Sequence, residues 1–137
     1  MLYVKNITVP KNTSKDSPYT VEITIHHYMI RKISVYFPRG IHGNVGVSFW
    51  YGEDQFFPFK EYDWVSGDNE TVEGSVYFSP GYYPFNITIK AYNLDDDYDH
   101  SISIRIEAVD EEVAKWEQAI YRLVKMFEDF IRFLTGR

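Results

Sequence analysis

FNITIKAYNLDDDYDHSISIRIEAV, residues 85–109, is the stretch whose reading decides the fold. Phe85, Ile87, Ile89 and Ala91 alternate with Asn86, Thr88, Lys90 and Tyr92. After an acidic turn, Ile102, Ile104, Ile106 and Ala108 alternate with Ser101, Ser103, Arg105 and Glu107. A period of two belongs to strands with one face buried and the other wet. The same alternation recurs upstream in Leu2–Val9, Thr20–Tyr28, Arg31–Phe37, Val45–Tyr51 and Thr71–Phe78. Between these runs stand clusters of turn formers: Pro10 to Pro18, Pro38-Arg39-Gly40, Gly43-Asn44, Ser66-Gly67-Asp68-Asn69 and Pro80 to Pro84. About seven to eight strands at near-even spacing, with no helix between them, predict an antiparallel β-sandwich, jelly-roll-like, over residues 1–109.

Downstream of Val109 the period changes. Val113, Trp116, Ile120, Leu123, Phe127, Phe130 and Leu134 alternate steps of three and four, the a/d spacing of a helix that buries one seam against other helices. Val124, Met126, Ile131 and Phe133 widen the stripe towards the C-terminal end. Asp110 is placed to cap the helix, Glu111 and Glu112 sit in its first turn, and Glu111–Lys115 and Glu128–Arg132 are spaced as supporting pairs. A rod of 25 residues is roughly 37 Å long, about as long as the preceding body is wide, roughly 34 Å. Residues 110–137 are therefore expected to be an amphipathic oligomerisation helix whose contacts include Val113, Trp116, Ile120, Leu123, Val124, Phe127, Phe130, Ile131 and Leu134. Aromatic residues at a and d crowd a two-stranded seam, which favours a homotrimer.

The formal net charge of −6 argues against a nucleic-acid partner. Positive charge gathers in the first 50 residues, with six Lys or Arg against two acids, whereas residues 51–100 hold two against eleven. That polarity either orients neighbouring subunits or neutralises itself within one fold. The chain has no cysteine, so no disulfide or thiolate metal site is available. No apolar run is long enough for a membrane span, and no basic, apolar leader precedes the first strand, so a soluble chain is expected. Asn6, Asn12, Asn69 and Asn86 begin Asn-x-Ser/Thr sequons, which threonine-rich strands also produce without glycosylation.

No nucleophile elbow, phosphate loop or paired Cys/His constellation is present, so no enzyme activity and no cofactor are expected. Glu61 and Asp63 have no spacing that specifies a glycosidase. Consecutive His26 and His27 point to opposite faces of a strand and do not share an ion. Asp95, Asp97 and Asp99 crowd one turn, which makes calcium the single metal to test, although the twelve-residue loop of an EF-hand is missing and a solvated turn tip accounts for the same residues. The aromatic segment is the better candidate. Phe56, Phe57, Phe59, Tyr62 and Trp64 are interleaved with charges and cannot all turn inward. They form either a partner- or glycan-binding patch, with Trp64, Tyr62 and Phe57 as its platform, or a plug for one end of the sandwich or a subunit contact. Tyr82 and Tyr83 make a second, smaller candidate on a loop tip.

Ile33-x-Val35-x-Phe37-Pro38-x-Gly40, Gly43-x-Val45-Gly46-Val47, Gln55-x-Phe57-Pro58 and Gly67-Asp68-x-Glu70-Thr71 follow one another in order, joined by Pro84, Tyr92-Asn93-x-Asp95 and Tyr98-Asp99-His100. Over residues 20–108 this arrangement resembles small all-β virion-associated proteins of bacterial and archaeal viruses. The resemblance implies decoration or attachment on a virion or extracellular surface assembly, with other virion or surface proteins as partners. It implies no chemistry, and it marks Pro38, Gly40, Pro58 and Asn93 as fold positions. The helix after Val109 lies outside it.

Overall fold

The computed structural model describes residues 1–136. Nine strands precede one helix: β1 (Leu2–Val9), β2 (Tyr19–Ile25), β3 (Met29–Phe37), β4 (Val45–Tyr51), β5 (Asp54–Phe57), β6 (Val65–Ser66), β7 (Glu70–Phe78), β8 (Phe85–Asn93), β9 (His100–Val109) and α1 (Glu111–Thr135). The seven alternating runs become the long strands; β5 and β6 are short additions from the aromatic segment.

Two antiparallel sheets form, ordered β1-β9-β3-β7 and β2-β8-β4-β5, with β6 pairing β4. The chain is a long hairpin bent back at Gly52-Glu53, where Tyr51 pairs Asp54 and Gly52 takes φ +58°, a region that favours glycine. Along it β4 meets β5, β3 meets β7, β2 meets β8 and β1 meets β9. Wrapping that ribbon brings β3 beside β9 and β4 beside β8, which closes the jelly roll.

Inward residues of the two sheets make one core, including Ile33, Val35, Phe37, Phe49, Ile87, Ile89, Ile104 and Ile106, all without solvent exposure. Each such side chain contributes about 1.5–3 kcal/mol of transfer free energy. Gly74 serves this packing. A Cβ there would stand 2.6 Å from Phe57 Cε2, so the position must be bare for the ring from the opposite sheet to lie on β7.

A bulge at Arg31 sets where the helix attaches. Ile30 pairs Ala108 while Lys32 pairs Glu107, leaving Arg31 as the extra residue against β9. On the other side of β3 the register also shifts, and Tyr77 of β7 takes φ +47°. Arg31 Nη2 lies 2.7 Å from Glu107 Oε1, and its Nη1 bonds Glu117 of α1. These bonds hold the Glu107 carboxyl below the usual carboxylate range and the guanidinium above its own.

Candidate functional site

Helix α1 leaves the sandwich almost at once. Ala114 is its one buried residue among those described, seated against Met29 and Val109 with Tyr28 alongside. Glu117 is half-buried, and everything from Gln118 to Gly136 is exposed. With Val113 as position a of the heptad, Ala114 is b and Glu117 is e. The sandwich therefore covers a flank of the helix root, and the a/d seam points elsewhere. Val113, Trp116, Ile120, Leu123, Phe127, Phe130 and Leu134 are all exposed, on average by about 60%. At ~200 Å² for a large apolar residue they leave on the order of 800 Å² of seam per chain. Val124 and Ile131 border it and are exposed as well.

The helix ends differ from expectation in two details. Asp110 occupies the N-cap position in an extended conformation, yet its carboxylate makes no cap bond and lies 3.9 Å from His27 Nε2. Glu111 pairs Lys115 at 3.0 Å as expected, but Arg132 turns to Asp129 at 3.7 Å and not to Glu128. At the other end Gly136 closes the helix at φ +70° and donates its N–H to the Arg132 and Phe133 carbonyls. No helix among the described residues is long and apolar enough to cross a membrane.

The aromatic segment divides between core and surface. Phe49 pairs Phe57 while Trp50 pairs Gln55, so Phe56 is the extra residue of a bulge and both phenylalanines turn inward. Phe56 stacks on Phe78 at 4.3 Å, and Phe57 lies 5.8 Å from Phe49. The expected platform of Trp64, Tyr62 and Phe57 is thereby corrected: Phe56 and Phe57 are core residues. Phe59 and Tyr62 stay exposed and Trp64 is half-buried.

Gln55 organises the loop that carries them. Its Nε2 donates towards the carbonyls of Pro58 at 3.0 Å, Lys60 at 3.2 Å and Asp63 at 3.0 Å, and its Oε1 accepts the Tyr62 N–H at 2.8 Å. So held, the loop overhangs the outer face of β4, where Gly46, Ser48 and Trp50 point away from the core. The Trp50 Nε1–H donates to Ser48 Oγ at 2.8 Å. Tyr92 of β8 lies over Gly46, where a Cβ would come within 2.2 Å of its ring. Trp64 meets Tyr92 edge-on at 4.9 Å. Lys15, from the β1–β2 connection, stands 4.9 Å above Tyr92, and Lys90 stands 4.1 Å above Trp50. Lys15, Ser48, Trp50, Gln55, Tyr62, Trp64 and Lys90, with Asp16 and Pro18, line an open groove of about 390 Å³ on the outer face of the second sheet, and Tyr92 packs behind Trp64.

Sequence reasoning singled out Tyr62 and Trp64 but missed Trp50, Gln55, Lys15 and Lys90. One signal was present: an outward tryptophan on a strand whose other outward residues are Gly46 and Ser48 needs something large to lie beside it. Tyr82 and Tyr83 are exposed in the β7–β8 connection and line no part of the groove; the Tyr82 hydroxyl bonds that of Tyr51.

The acidic turn is spent on itself. Asp95 Oδ1 accepts the N–H groups of Asp97 at 2.8 Å and Tyr98 at 3.3 Å, while Oδ2 lies 2.7 Å from His100 Nε2. The backbone N–H bond from Asp97, then the side-chain bond with the His100 imidazole, hold the Asp95 carboxyl below its usual range. Asp99 Oδ1 accepts the Lys11 N–H at 2.8 Å. Among the described residues no three His, Cys, Asp or Glu side chains are gathered to hold a metal ion.

Compared with known proteins, the chain matches no family model and no curated protein sequence.

Proposed function

We propose that this chain is a non-enzymatic structural and interaction protein, a jelly-roll head held in a homo-oligomer, with a trimer favoured, by its C-terminal helices. The observation that carries the reading is the uncovered seam of α1, which runs the length of the helix and points away from the flank that the sandwich takes. Its exposed area, on the order of 800 Å² per chain, is what one partner contributes to a standard-sized stable interface. Aromatic Trp116, Phe127 and Phe130 in a and d favour three or more helices over two. The resemblance of residues 20–108 to virion-associated proteins supplies the setting, decoration or attachment on a particle or surface assembly. Jelly rolls recur in viral capsid domains, an analogy of fold alone. Light scattering and sedimentation velocity at micromolar concentration test the reading. A mass of three chains is expected; a monomer throughout that range would overturn it.

A further inference from the structure

The groove on the outer face of the second sheet has the chemistry of a binding site, and it is independent of how the helix associates. We propose that it binds an acidic saccharide, a pyranose chain bearing carboxylates, with Trp64 and Tyr62 against the sugar faces and Lys15 and Lys90 on the carboxylate.

Charge supplies the first argument. In a chain of net charge −6, two ammonium groups from distant parts of the sequence line one concavity. Neither has a carboxylate within 4.0 Å among the described residues; each is held over an aromatic ring. A cation over a ring face is attracted by the ring quadrupole and still has donors free to turn to an anion. Lys90 is one of just two Lys or Arg residues between positions 51 and 100, the other being Lys60.

Shape and lining supply the second. Trp50 is 7% exposed and serves as floor, its indole fixed by Ser48 and roofed by Lys90. Tyr62 is 77% exposed, so its ring is open to a ligand, and Trp64, half-buried, borders the groove beside it. Three aromatic residues, Trp50, Tyr62 and Trp64, share the lining with the polar Lys15, Asp16, Ser48, Gln55 and Lys90, a mix of ring surface and hydrogen-bonding groups that suits a ligand with both apolar faces and polar edges. The C–H faces of a pyranose ring suit such walls, whereas a bare inorganic anion would leave them unused. Asp16, the one acid in the lining, has oxygens that can accept hydrogen bonds from sugar hydroxyls. The groove is preformed, because Gln55 ties the Tyr62 loop at four points and Gly46 lets Tyr92 brace Trp64.

The test is isothermal titration of the full chain with a linear galacturonic acid tetramer, beside the same tetramer as its neutral methyl ester. The acid is expected to bind with a sub-millimolar Kd and the ester at least about tenfold more weakly, a loss of ~1.4 kcal/mol. Lys90→Met, Lys15→Met and Trp64→Ala are each expected to weaken the acid by about tenfold, a change read against ~1.4 kcal/mol per decade. Lys15 and Trp64 belong to loops, so their variants keep the test informative if Lys90→Met disturbs the sheet; circular dichroism checks each fold. No heat with the acid, equal binding of acid and ester, or folded variants with unchanged affinity would each overturn the proposal.

Discussion

Leu123→Asp puts a charge at a d position in the middle of the exposed seam. In the isolated chain Leu123 is 67% exposed and no part of the sandwich covers it, so the change leaves the head untouched. In a bundle the same leucine is interior. Burying one leucine contributes about 2 kcal/mol, so a trimer loses roughly 6 kcal/mol, before the further cost of three carboxylates facing one another in one layer. At about 1.4 kcal/mol per decade, the association constant falls by roughly four orders of magnitude. Sedimentation velocity at micromolar concentration is expected to show trimer for the parent chain and monomer for the variant. The β-rich circular dichroism spectrum and the melting temperature of the sandwich are expected to change little, because the seam contributes nothing to the core. A variant that keeps the parent's mass would refute the assignment of this face. Loss of the β signal together with the oligomer would refute the independence of head and helix.

Arg31→Met removes the tie between the β3 bulge, Glu107 and Glu117. With all three side chains roughly one-third exposed, the loss is about 1 kcal/mol; in a Leu123→Asp background, hydrogen exchange at residues 114–120 is expected to speed up while β9 stays protected, and unchanged exchange would count against the anchor. Gly46→Ala drives a Cβ into the Tyr92 ring, and overpacking of this kind costs about 1–3 kcal/mol. Urea denaturation should register that loss and show part of it recovered in the double variant with Tyr92→Ala; strictly additive effects would contradict the contact. Asp95 has a depressed carboxyl pKa in the folded state, so its stabilising contribution is full above the unfolded value near 3.8 and is lost as pH falls through the lower folded value. The drop in melting temperature between pH 6 and pH 3 should therefore be smaller in Asp95→Asn than in the parent, and equal drops would exclude the turn as an acid-sensitive element.

The seven long strands were legible because each runs along a sheet with one buried face, and burial imposes a period of two on Ile33, Val35 and Phe37 or Ile102, Ile104 and Ile106. The pairing of those strands was not written locally. Whether β9 lies beside β1, β3 or both depends on how the whole hairpin wraps, and alternation is identical in every arrangement. Phe56 and Phe57 show a sharper limit: consecutive residues on a regular strand point to opposite faces, and one inserted residue against β4 overrides that rule. The groove was half legible. Tyr62 and Trp64 stood out as large rings in a charged loop, but Lys15 and Lys90 have no shared pattern and meet only because the β1–β2 connection folds beside β8. The helix was readable throughout, since its three-and-four spacing needs no knowledge of the rest of the chain.

Where the helix and the groove sit relative to each other gives the last expectation. Arg31 and Glu107 clamp the root of α1 on the outer side of the first sheet, while Trp50, Lys90 and Trp64 face out from the second. Helices gathered through their seams would thus leave every groove pointing away from the root, and a trimer would present three at once. Linked sites raise apparent affinity by effective concentration without any new contact. Association and binding therefore separate in one experiment with Leu123→Asp. In solution, titration with the galacturonate tetramer is expected to give the same Kd per site as the parent. On a surface coated densely with polygalacturonate, retention is expected to fall by about a hundredfold, the lower end of the gain from avidity. Equal retention of monomer and parent would mean that the grooves do not act together, and a changed per-site Kd would mean that the helix and the groove are not independent.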